Sequence, residues 1–153
     1  MSAIGRTFFA ETLERLTLYV RQIAWLNTIP EKATKPRRDT VGGSLPPISA
    51  GAHLLEILFD VGPAKPMPMA APVAIDEMDL VAWQYNRDIR LTPFETSTIR
   101  ELSRAYASQL SEASAKGCPA PYFPANGLDE ARRQKISEAM SGFADKVNAS
   151  RKV

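Results

Sequence analysis

The sequence predicts an all-α protein: a small bundle of about five helices joined by Pro-rich linkers, with the N-terminal helix either packed on that bundle or detached from it. Three observations lead there. Apolar residues recur three and four positions apart over long stretches, the period of an amphipathic helix. Eleven of the 12 prolines cluster at 30–47, 63–72 and 119–124 and cut the chain into blocks. Two helix-start signatures, Asp76 with Asp79 and Thr92 with Pro93 and Glu95, stand where blocks should begin. With 153 residues, 44% of them hydrophobic, the chain is long enough for one domain, or for a domain with a mobile arm. The expected organisation is an N-terminal amphipathic helix at 1–28, a linker at 29–48, a helical core domain at 49–125 and a C-terminal helix at 126–153.

The first block covers residues 7–27, with Thr7 as its expected N-cap. Phe9, Leu13, Leu16, Val20 and Ile23 form a seam along one face. Glu11, Glu14, Arg15, Arg21 and Gln22 fall off the seam and can face water. Phe8, Leu18, Tyr19, Trp25 and Leu26 also lie off it, so this helix wants more than one neighbour, in a core or on a partner. Residues 28–47 follow, with Lys32, Lys35, Arg37, Arg38 and the Gly42-Gly43 pair. They read as a solvated linker in which almost nothing is buried. No aromatic residue is interleaved there to stack on bases.

The second block, 49–61, has Ser49 as its expected cap and packs Leu54, Leu55, Ile57, Leu58 and Phe59 before stopping at Gly62-Pro63. Residues 62–74 hold four prolines and predict an extended second linker, with Met67 and Met69 lying on a neighbouring apolar surface. The third block starts at Asp76, capped in a box with Asp79. Met78, Val81, Ala82 and Tyr85 supply its packing face, with Trp83 on another, and Asn86-Arg87-Asp88 breaks the pattern. Ile89 and Leu91 are expected to plug the junction.

The fourth block begins at Thr92-Pro93-Phe94-Glu95, an N-cap, a first-position proline and an N3 acid. It presents Ile99, Leu102, Tyr106, Leu110 and Ala113 on one face, and Arg100, Glu101, Arg104, Gln109 and Glu112 elsewhere. Lys116-Gly117 and Pro119 are its expected stop. A last block over 128–148 repeats Ile136, Ala139, Met140, Phe143, Ala144 and Val147 at helical spacing, weakened at Gly142.

Several function classes drop out. Nineteen basic residues against 17 acidic ones give a net charge of +2, too even for a general polyanion binder. A DNA-reading second helix would present Thr96, Arg100 and Arg104, but Glu95, Glu101 and Glu112 share that helix, so a nucleic-acid partner is not expected. His53 is the only histidine, which leaves neither a histidine-based metal set nor a nucleophilic triad. Helix capping accounts for the acids Asp76, Glu77 and Asp79. No glycine-rich phosphate loop precedes a helix. The expectation is no catalytic residue, no cofactor and no metal. A single cysteine, Cys118, excludes an intrachain disulfide. No apolar run approaches the ~20 residues of a membrane span, and the start MSAIGRTFF lacks the features of a secretion signal. A soluble intracellular protein is expected.

One resemblance adds to this reading. It is carried by Leu80-Val81-Ala82-Trp83-Gln84, then Ile89-Arg90-Leu91-Thr92-Pro93-Phe94-Glu95, then Ile99-Arg100-Glu101-Leu102-Ser103-Arg104-Ala105-Tyr106, and finally Cys118-Pro119-Ala120-Pro121-Tyr122. The preceding run from His53 to Pro63 joins it, so the similarity spans roughly 49–122. This pattern resembles small proteins of tailed-bacteriophage tail modules and is similar to tail assembly chaperones. The resemblance implies a non-enzymatic protein of the host cell cytoplasm that binds the tape-measure protein and recruits tail-tube protein during assembly. A minor tail-completion or connector protein of the virion is a second reading. A small regulatory or inhibitory protein binding a host factor is a third. Homo-oligomerisation is compatible with each. The expected partner-contact residues are Phe9, Leu13, Leu16, Val20 and Ile23, with Leu54, Leu58 and Trp83.

Overall fold

The computed structural model describes residues 3–124, together with Glu138, Ser141 and Gly142. The chain up to Tyr122 forms one compact unit, and residues from Phe123 belong to a second. In the second, Glu138, Ser141 and Gly142 are helical, and the rest of the helix expected at 126–153 lies outside the described residues. The described chain is all-α apart from one hairpin: α1 (Ala3–Asn27), α2 (Arg37–Thr40), α3 (Ala52–Val61), β1 (Lys65–Met67), β2 (Ala70–Val73), α4 (Glu77–Arg87) and α5 (Pro93–Ala113).

The long helices α1 and α5 form the spine, and α3 packs across α5. The main core draws Leu16, Val20 and Ala24 from α1, Leu54, Leu55 and Leu58 from α3, Leu80 from α4, and Ile99, Leu102 and Tyr106 from α5, with Ile75 between. The N-terminal helix is therefore attached, not detached. Its off-seam residues Trp25 and Leu26 find a second neighbour, packing with Ala113, Cys118 and Ala120 in a smaller cluster. Gln22, expected to face water, is buried instead. Its Nε2 donates to the Ser44 carbonyl (3.1 Å) and its Oε1 accepts from the Tyr122 amide (3.1 Å), so desolvation leaves neither end unpaired.

Both central caps form as the sequence predicts. Asp76 and Asp79 make a reciprocal capping box at α4, and Thr92 and Glu95 make another at α5, with Pro93 in the first turn. Other starts differ. α1 begins at Ala3, and the Thr7 hydroxyl donates to the Ala3 carbonyl from inside the helix. α3 is led by Gly51, not Ser49: Gly51 is left-handed (φ +78°), and a Cβ there would stand 2.8 Å from Leu16 Cδ1. α5 stops at Ala113, three residues short of Lys116, where the Ser114 hydroxyl donates to the Ser111 carbonyl.

The two linkers are structured. In the first, Arg37 is only 3% exposed. Its guanidinium donates to the carbonyls of Ala113 (2.6 Å) and Ala115 (2.8 Å) and lies over the Trp25 ring. The carbonyl end of α5 accommodates this cation, and main-chain hydrogen bonds satisfy it, which is why a basic stretch becomes a strap. The second is a β-hairpin, pairing Lys65 with Val73 and Met67 with Ala70 around an irregularity. Met69 sits at its tip with φ +57°. The Ile75 amide donates to Ser103 Oγ (2.9 Å) and that hydroxyl donates to the Pro63 carbonyl (2.8 Å), fixing both ends of the hairpin to α5. Met67 and Met69 point to solvent and not onto an apolar surface.

α4 is turned about its axis relative to expectation. Leu80 is its buried residue, while Met78, Val81, Ala82 and Tyr85 are exposed. Polar ties on the Leu80 side decide this. Asp60 accepts from Trp83 Nε1 (2.6 Å) and from the Arg87 guanidinium (2.9 and 3.0 Å), and Gln84 Oε1 accepts from the Leu91 amide (2.7 Å). Leu91 plugs the junction against the core, whereas Ile89 stays exposed.

Candidate functional site: an apolar groove

Three elements meet around an open groove of about 340 Å³. The first half of α1 contributes Phe8, Phe9, Thr12, Leu13 and Leu16. The start of α3 contributes Gly51, His53 and Leu54, and the start of α5 contributes Phe94, Glu95 and Thr98, with Thr92 beside them. Local chemistry holds each wall in place. Gly51 permits α3 to approach Leu16 closely. The Thr92–Pro93–Glu95 cap fixes the first turn of α5, and with it Phe94.

The mouth is aromatic. The Phe9 and Phe94 rings are 5.1 Å apart and tilted at 59°, and Phe8 meets Phe9 edge-on at 6.0 Å. All three are exposed, which leaves large apolar faces in water. Thr98, Leu16 and Leu54 are buried and floor the groove.

Polar groups at the rim are committed to structure. Glu95 Oε2 accepts from the Thr92 amide (2.8 Å) and hydroxyl (2.9 Å), and Glu95 Oε1 lies 3.4 Å from His53 Nε2. Those contacts, the Thr92 amide first and its hydroxyl next, hold the Glu95 carboxyl below the usual glutamate range. It stays an anion locked in a cap. Among the described residues, no three His, Cys, Asp or Glu side chains are placed to hold a metal ion. The arrangement can desolvate an apolar side chain or helix face.

No protein-family model, no curated protein and no solved structure matches this chain.

Of the contact residues expected from sequence, Phe9, Leu13, Leu16 and Leu54 converge on this groove. Val20 and Leu58 are fully buried in the core, and Ile23 packs against it. Trp83 is elsewhere, its indole N–H donated to Asp60. Phe8, an off-seam residue in the sequence, Phe94 and Thr98 were not among the expected contact residues. Phe94 carried a usable signal: an aromatic just after the first-position proline of a capped helix has little of its own helix to cover it. No described helix is long and apolar enough to cross a membrane.

Proposed function

We propose that this protein acts by binding, as a phage tail assembly chaperone that holds an apolar helical segment of the tape-measure protein in this groove and recruits tail-tube protein during morphogenesis. The observation that carries the reading is the exposed Phe8–Phe9–Phe94 mouth over an apolar floor. An amphipathic helix docks into such a groove by inserting large side chains at i and i+3 or i+4. A cavity of about 340 Å³ admits roughly two of them, given that an engineered cavity of ~150 Å³ takes one benzene. The similarity spanning roughly 49–122 supplies the tail-module context. The reading places the protein in the host cell cytoplasm, with no catalytic step.

The test is co-expression with the tape-measure protein. Capture is expected, with at least a tenfold loss in Phe94→Asp and Phe9→Asp, and finished particles should lack the protein. Absence of capture, or capture indifferent to both substitutions, overturns the proposal. Presence in particles at fixed stoichiometry assigns a minor virion component instead.

A further inference from the structure

A second surface lies apart from the groove. α4 turns Met78, Val81, Ala82 and Tyr85 outward, with Met78 69% and Tyr85 88% exposed. Ile89 joins them because its amide donates to the Gln84 carbonyl (3.2 Å), folding the chain back over the last turn of α4. Val81, Tyr85, Ile89 and Leu91 wall an open depression of about 560 Å³ at this end, with Asp88 and Arg90 on its rim. Met78 stands two turns away, roughly 10 Å along the same face.

We propose that this face binds a second copy of this chain, the two α4 helices packing antiparallel about a two-fold axis near Ala82, so that Met78 of each copy seats in the depression of the other. A two-fold contact is possible only where a patch complements itself, and this one does so in shape and charge. The unbranched thioether of Met78 fits an irregular hollow. Ala82 is small enough beside the axis to let the backbones approach, and it faces Tyr85 of the other copy. Glu77, one residue before Met78, comes to the end that carries Asp88 and Arg90. Arg90 makes no ion pair among the described residues, and Arg100 lies 3.7 Å from Glu77. The two guanidiniums balance the two carboxylates at each end of the contact.

Area sets the strength. Five partly exposed side chains remove on the order of 100 Å² each, some way below the ~800 Å² per partner of a standard interface. The dimer is therefore of the weak, transient class.

Sedimentation velocity from about 10 µM to about 1 mM tests this directly. The parent chain is expected to pass from monomer to dimer across that range. Tyr85→Lys and Met78→Glu, both at exposed positions that the fold does not need, should weaken association at least tenfold with unchanged thermal unfolding. Arg90→Glu should weaken it too, and Glu77→Arg with Arg90→Glu should restore it. Phe94→Asp, which alters only the groove, should dimerise like the parent. A chain that is monomeric throughout overturns the proposal. So does association that survives both α4 substitutions, or association that Phe94→Asp abolishes, which would move self-contact to the groove.

Discussion

The Arg37 guanidinium lies 4.9 Å from the centre of the Trp25 ring while donating to two carbonyls at the end of α5. One side chain thus ties the strap between α1 and α3 to the tips of both spine helices. Arg37→Ala removes two charge-assisted hydrogen bonds and the ring contact, so a loss of about 2–4 kcal/mol is expected. Arg37→Lys keeps the charge but not the fork, and should recover less than half. Urea unfolding midpoints check both. Equal stability of Arg37→Ala and the parent would show that the strap contributes nothing.

The α5 cap is a second measurable device. The Thr92 hydroxyl accepts from the Glu95 amide and the Glu95 carboxylate accepts in turn from the Thr92 amide. Thr92→Ala should cost about 1 kcal/mol, read as a drop of a few degrees in Tm, and Thr92→Ser should be close to neutral. Because this turn also places Phe94, partner capture should fall in Thr92→Ala before stability becomes limiting.

Gly51 offers a backbone test. Its left-handed φ and its proximity to Leu16 make Gly51→Ala destabilising by about 1–3 kcal/mol, measured by chemical denaturation. Gly117→Ala is the control, since nothing lies within 4 Å of its new Cβ.

Acid should weaken the fold. The Trp83 indole and then Arg87 hold Asp60 below the ordinary aspartate range, Lys65 and then the Asp79 amide do so for Asp76, and the Thr92 amide does so for Glu95. A carboxyl lowered on folding contributes stability above its unfolded value and loses it as pH falls through the folded one. Stability is expected to be flat from neutral pH down to about pH 5 and to decline below about pH 4. Lys65, raised by Asp76 and Asp79, works with the opposite sign: its contribution holds below the ordinary 10.5 and fades as pH climbs through the raised value. Unfolding midpoints across pH should show a shallower acid limb in Asp60→Asn and Asp76→Asn. An unchanged limb in both would remove these pairs from the account.

What could be read from sequence was what is encoded locally. The Asp76–Asp79 and Thr92–Glu95 boxes each lie within four residues, and the Ile99–Leu102–Tyr106 stripe needs only the helical period. The orientation of α4 was not readable, because Met78, Val81, Ala82 and Tyr85 are as regular a stripe as any. The distant Asp60, reaching Trp83 and Arg87, and the Leu91 amide bound to Gln84 select the Leu80 side. Arg37 was misjudged for a similar reason. Its burial depends on carbonyls 76 and 78 residues away. Half of the groove was visible as the α1 seam and Leu54, but its aromatic mouth required knowing that the first turns of α1 and α5 meet at Phe9 and Phe94.

Ser103 sits between the chain entering the hairpin and the chain leaving it, accepting from one and donating to the other. Both feet of the excursion from Pro63 to Ile75 therefore stand on a single oxygen atom. Loss of that one oxygen would untie both feet together, one just past the end of α3 and the other just before the start of α4.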